Sequence, residues 1–156
     1  MEENLYNMQE ISSYREGNRL EAKKAKGGIP NSMWETYSSF ANTDGGIILL
    51  GVDEKKDGSF EVLGVQNADQ MLKDFWNMVN NRQKVNVNLL VEKDVTVEDY
   101  EGKKVIFIRV PRADRYLRPV YVGQDPMSGS YRRNCEGDYH CSHEEVSAMY
   151  LDAYQL

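Results

Sequence analysis

The chain has 156 residues, 40% of them hydrophobic, and a net charge of −6 at pH 7; this suits one domain with its own core and argues against a generic polyanion binder. No run of 18 apolar residues occurs, so no membrane-spanning helix is expected, and the start MEENLYNMQE lacks the basic and apolar regions of a secretory signal. A cytoplasmic protein follows, with Cys135 and Cys141 reduced rather than forming a disulfide framework.

Leu5, Met8 and Ile11 fall near helical spacing and predict a short helix over residues 3–14. Arg19 to Ala25 alternates around Leu20 and Ala22 and predicts a strand, which Gly27-Gly28 breaks. Pro30 to Asn42 predicts a helix. Ser32 and Glu35 have the spacing of a capping box, and Met33, Tyr37, Phe40 and Ala41 share a face. Asn42 to Gly46 ends it, with Gly45 or Gly46 supplying a positive φ, and the Asn42 side chain is expected to bond the turn that leaves the helix. The unbroken apolar run Ile47 to Val52 predicts a central, buried strand.

After the turn signal Lys56-Asp57-Gly58-Ser59, Phe60 to Val65 reads as a strand. Residues 68–82 read as a helix with Met71, Leu72, Phe75, Met78 and Val79 inward. Asn86 to Val91, Val95 to Tyr100 and Lys104 to Val110 read as strands, and Val120–Val122 and Ser130–Arg132 as short edge strands. Ser142 with Glu145 marks the start of a last helix whose apolar face is Val146, Met149, Tyr150 and Ala153. The mixed order predicts a single α+β domain over residues 1–156, with a mixed β-sheet packed by three to four helices. The chain stops just past the last helix, as a part of a longer protein would.

Charge is unevenly spread. Residues 101–135 hold 8 Lys/Arg and 3 Asp/Glu, whereas residues 136–156 hold 5 acids and no Lys/Arg. A basic segment on an acidic protein is a local footprint for anions, although an ordinary solvated surface has the same composition. Arg109, Arg112, Arg115, Arg118, Arg132 and Arg133 are interleaved with Tyr116, Tyr121 and Tyr131. Arginine suits phosphate, and tyrosine offers a stacking face to unpaired bases. A weaker anion site is the Gly27-Gly28 approach to the Pro30 helix. Glu16, Glu21 and Asp53 flank two strands that one helix can join as neighbours. Three carboxylates brought to one edge would need a hard cation, Mg²⁺ or Mn²⁺, or else are surface acids. Cys135, His140, Cys141 and His143 are too crowded for the two separated ligand pairs of a structural zinc site.

Three stretches together resemble a known family: Arg19-Leu20-Glu21-Ala22-Lys23; Ser39-Phe40-Ala41-Asn42-Thr43-Asp44-Gly45-Gly46 through Gly51-Val52; and Arg118-Pro119-Val120-Tyr121 with Tyr131-Arg132-Arg133. The chain is similar, from about Ile11 to Leu151, to the Schlafen AlbA-like domains, also labelled a divergent AAA-type family. The resemblance implies a nucleic-acid-binding domain of a bacterial transcriptional regulator, with DNA or RNA as partner. It also implies an alternative, a metal-dependent ribonuclease using Glu16, Glu21 and Asp53 with Lys23 as a phosphate contact. No G-x-x-x-x-G-K-[ST] loop supports the ATPase label. On this reading Lys23, Arg112, Arg115, Arg118, Arg132 and Arg133 contact nucleic acid. A third possibility is self-association into a homo-oligomer.

Overall fold

A computed structural model describes residues 8–155. Its strands are β1 (Leu20–Lys23), β2 (Gly46–Leu50), β3 (Val52–Glu54), β4 (Phe60–Val62), β5 (Val95–Tyr100), β6 (Lys103–Val110), β7 (Tyr131–Asn134) and β8 (Gly137–His140). The helices are α1 (Ser32–Asn42), α2 (Ala68–Val79), the one-turn α3 (Pro126–Gly129) and α4 (His143–Ala153), preceded by a 3-10 helix over Met8–Ser13. Among the described residues no helix is long and apolar enough to cross a membrane.

The main sheet has the order β1-β2-β6-β5. β1 and β2 are parallel and joined through α1, and the other pairs are antiparallel. The fold is therefore the expected α+β domain with a mixed sheet. β2 is central and wholly buried because both faces of the sheet are covered, which is why its sequence is continuously apolar rather than alternating. Ile48 and Leu50, with Ile106 and Ile108, meet α1 and α2, where Trp34 stacks on Phe75 at 5.6 Å. Ile47 and Leu49, with Phe107, meet Ile11, Val52, Phe60 and Val62 on the other face.

Several expectations are corrected. The strand expected over residues 47–52 is cut at Gly51, whose φ of 99° turns the chain out of the sheet into the separate β3–β4 hairpin. The Ser32–Glu35 capping box does not form. Asn31 precedes the helix without a side-chain cap, and Ser32 Oγ instead accepts from Lys23 Nζ at 3.3 Å. The Ser142–Glu145 box does form, with bonds of 3.1 and 2.8 Å. Asn86 to Val91 is not a strand: the Tyr37 and Asn88 side chains serve its backbone at Val87, Leu89 and Leu90, and the Asn86 side chain turns to another segment. Asn86 bonds Pro119 O and Tyr121 N, and the Tyr37 hydroxyl donates to Val87 O and accepts from Leu89 N. Finally, β7 and β8 form a hairpin of which only the start was expected. The N-terminal helix is described from Met8 onward only, and the rest of that expectation lies outside the described residues.

Asn42 ties this hairpin region to α1. Its amide donates to Val120 O and Tyr131 O, both at 2.9 Å, and its oxygen accepts from Val120 N at 2.8 Å. These partners lie across the fold, not in the turn after the helix.

Candidate functional site

β1 runs beside β2 with Glu21 opposite Ile48, and a turn places Glu16 just before it. Glu16 accepts a bond from Ala22 N at 2.9 Å. Glu21 is buried, and cations hold both its carboxylate oxygens: Arg133 Nη2 at 2.9 Å and Lys23 Nζ at 3.3 Å. Asp53, in the middle of β3, turns to Lys24 at 3.7 Å. The tightest carboxylate group among the described residues is Glu16, Glu54 and Glu136, with one oxygen of each within 4.8 Å of the others.

The expected trio is thus only partly assembled. Glu16 lies at its centre, Glu21 is beside it but neutralised, and Asp53 stands at its margin. Glu54 and Glu136 were missed. Glu54 was legible as the next carboxylate along β3. Glu136 sits in the turn of a hairpin that the sequence did not announce.

The electrostatics follow from this crowding. Burial pushes the Glu16 carboxyl up to about 8, helped by Glu21 and Glu54 and opposed by the Ala22 amide. Glu54 is also raised, first by burial and then by the charges of Glu136 and Glu21. The crowding favours the protonated form of Glu16, whereas a divalent cation held there would favour the ionised one.

Of the arginines expected to meet nucleic acid, Arg133 is corrected. Its side chain has 0% exposure. It donates to Glu21 Oε1, to Asp138 Oδ1 at 2.8 Å, and to the carbonyls of Gly17 and Leu20, and it lies 4.9 Å over the Phe40 ring. Asp138 in turn accepts from the hydroxyls of Thr36 and Ser39, both at 2.6 Å. A guanidinium so engaged and fully enclosed holds β1, α1 and the β7–β8 hairpin together and is closed to a phosphate.

The others differ in exposure: the Arg132 side chain is 41% exposed, the Arg118 side chain only 12%. Arg112 is exposed, and Arg115 lies over the Tyr116 ring at 4.9 Å. Arg118 pairs with Asp152 at 3.6 Å, and burial together with the neighbouring Arg112 lowers its pKa. Arg132 pairs with Glu145 at 3.2 Å and lies 5.6 Å from the Tyr139 ring. Lys23 is mostly covered, between Glu21 and Ser32. Cys141 is buried, its thiol pushed up to about 11 by that burial, whereas Cys135 is exposed at a positive φ in the β7–β8 turn. His140 packs on Tyr131 with ring centroids 4.4 Å apart.

Residues 16–142 match the family model described as Schlafen, AlbA_2. The chain belongs to the Schlafen AlbA_2 family. The match opens on Glu16 and closes on Ser142, so this Schlafen AlbA_2 domain continues into α4 beyond the matched span. Among solved structures it is similar to the N-terminal domain of a Nitrosomonas europaea protein named as a RecG-related ATP-dependent DNA helicase. The two are 31% identical with a TM-score of 0.62, over 85% of this chain and 89% of that one. A Corynebacterium diphtheriae protein shares the fold at 17% identity and a TM-score of 0.58, over 89% of this chain and 25% of that one. No curated protein matches.

Proposed function

We propose that this Schlafen AlbA_2 domain binds nucleic acid, gripping phosphates with Arg112, Arg115, Arg118 and Arg132, as the binding domain of a longer cytoplasmic regulator. The observation that carries the reading is the pairing of surface arginines with tyrosines, Arg115 over Tyr116 and Arg132 beside Tyr139. Part of each N–H edge is engaged, by the Tyr116 hydroxyl and Gln155 O for Arg115 and by Glu145 for Arg132, so a phosphate would take the remaining donors of the planar fork. Kinship with the N-terminal domain of a RecG-related helicase supports the same class of ligand. The longer corynebacterial chain supports placing the domain within a larger protein.

The test is titration with labelled DNA and RNA over a salt series. Four phosphate contacts predict a slope of log K against log salt of roughly −3 to −4. Arg112→Glu with Arg118→Glu should weaken binding and flatten that slope. Unchanged affinity in this double variant would refute the assignment of the surface.

A second reading, a metal-dependent phosphodiesterase, is favoured by one observation, the convergence of Glu16, Glu54 and Glu136. These three, rather than Glu21, have oxygens placed to hold Mg²⁺ or Mn²⁺, since Arg133 and Lys23 already occupy Glu21. Such an ion would polarise a phosphodiester and activate water beside it. Metal-dependent RNA cleavage that Glu16→Gln abolishes, in a folded protein, would promote this reading. Absence of cleavage with either metal would retire it.

A further inference from the structure

The end of α4, the loop of residues 114–121 and the segment after α2 enclose a groove of about 420 Å³, within the size of small-ligand sites (roughly 300–1,000 Å³). Four tyrosines, Tyr116, Tyr121, Tyr150 and Tyr154, and two arginines, Arg82 and Arg118, line it. A second hollow of about 340 Å³ shares Arg82 and Tyr121 and so prolongs it.

The groove is built rather than incidental. The Arg115 guanidinium donates to the Tyr116 hydroxyl at 2.9 Å and to Gln155 O at 2.7 Å, which fastens the loop to the end of α4. Asn86 fixes the floor by bonding Pro119 O at 3.2 Å and Tyr121 N at 2.7 Å. Tyr150 titrates high, first from burial and then from the neighbouring Tyr121 and Tyr154, which line the same groove. Tyr116 and Tyr154 remain 60% and 83% exposed, so their rings are open to a ligand.

We propose that this groove takes unpaired bases of a single-stranded nucleic acid, stacking them on the tyrosines while the exposed Arg82 holds a flanking phosphate. The inference rests on the nucleic-acid reading above and names its ligand class. Flat rings beside guanidiniums fit a chain that alternates flat bases with phosphates. In a duplex the base faces are already stacked on each other and are closed to such rings, which is why the ligand is single-stranded. Tyr150 and Tyr154 lie beyond the span that the family model matches.

The experiment uses the full chain and fluorescence anisotropy with labelled oligothymidylate and oligouridylate of about twelve nucleotides, and a DNA duplex of equal length. The single strands should bind more tightly than the duplex. Tyr116→Ala with Tyr154→Ala should weaken them about 30-fold or more, the loss expected for two removed stacking platforms, while Phe at both positions retains binding. Both residues are largely exposed, so the variants should melt at the wild-type temperature, which is measured alongside. Equal binding of duplex and single strand with no effect of the Ala pair would overturn the groove and leave the arginine surface standing. No binding to any probe would overturn both. A concentration-dependent dimer in sedimentation that the Ala pair dissolves would give the groove to a second copy of the chain, and would also overturn the proposal.

Discussion

Replacing Arg133 with methionine should be among the most damaging single changes in the domain. The substitution keeps most of the side-chain volume but deletes the donors that reach Glu21, Asp138, Gly17 and Leu20. Breaking a buried ion pair from one side typically costs about 3–5 kcal/mol, because the remaining charge is stranded. Here Glu21 keeps Lys23, and Asp138 keeps the hydroxyls of Thr36 and Ser39, so the lower part of that range applies, about 3–4 kcal/mol. For a chain of this size that lowers Tm by roughly 6–16 °C. Urea unfolding followed by tryptophan fluorescence would report it, since Trp34 is in the core that α1 and α2 share. Adding Asp138→Asn to Arg133→Met should recover part of the loss by removing one stranded charge. Arg132→Met, whose pair with Glu145 is exposed, should cost no more than about 1 kcal/mol. A loss below about 1 kcal/mol in Arg133→Met would refute the claim that this guanidinium holds three elements together.

Two more outcomes test the structure elsewhere. Glu16 is raised in the folded state to about 8, so the folded protein holds a proton that the unfolded chain releases near its ordinary 4.5. Stability should therefore fall as pH rises between those values and level off above 8; Glu16→Gln should flatten that decline and be the more stable form at pH 9, by about 1–3 kcal/mol after allowing for its partial solvation. Denaturation midpoints of both proteins at pH 5, 7 and 9 (set near the ends and middle of that window) would check it, and parallel curves would refute it. Gly45→Ala should cost at least about 2 kcal/mol, because its φ is 72° and a Cβ would sit 2.8 Å from Val110 O and 2.9 Å from Arg112 N. Gly102→Ala has a similar φ but open space, so it should cost only the strain, about 1–2 kcal/mol; equal Tm values for the two would contradict the close approach.

How much of this was legible depends on where each residue's partners lie. β2, β5, β6 and α2 declare themselves through apolar patterns that local sequence carries, and the Ser142 cap is a contact across three residues. The Asn86–Val91 segment misled because alternation is also produced when asparagines serve their own backbone and Tyr37 reaches in from α1. Gly51 hid inside an apolar run whose last residue, Val52, belongs to another sheet. At the candidate site, Glu16 and Glu21 stood out by residue type, but the fate of Glu21 was set by Arg133, 112 positions away. Arg133 itself sat in a basic stretch and looked like its neighbours. Only its burial under the β7–β8 hairpin separates it from Arg132, and no pattern within the segment encodes that.

β1 ends the main sheet, and its outward backbone would ordinarily be a ready template for a strand from another molecule. Here that edge is already occupied. The Ala22 amide is taken by the Glu16 carboxyl, and the Leu20 carbonyl by the Gly17 amide and the Arg133 guanidinium. The side chains gathered around the carboxylate cluster thus also seal the border of the sheet. Any ligand or substitution that draws Glu16 or Arg133 away uncovers main-chain hydrogen-bonding groups, so chemistry at this cluster and resistance to edge-to-edge aggregation are bound into the same few residues.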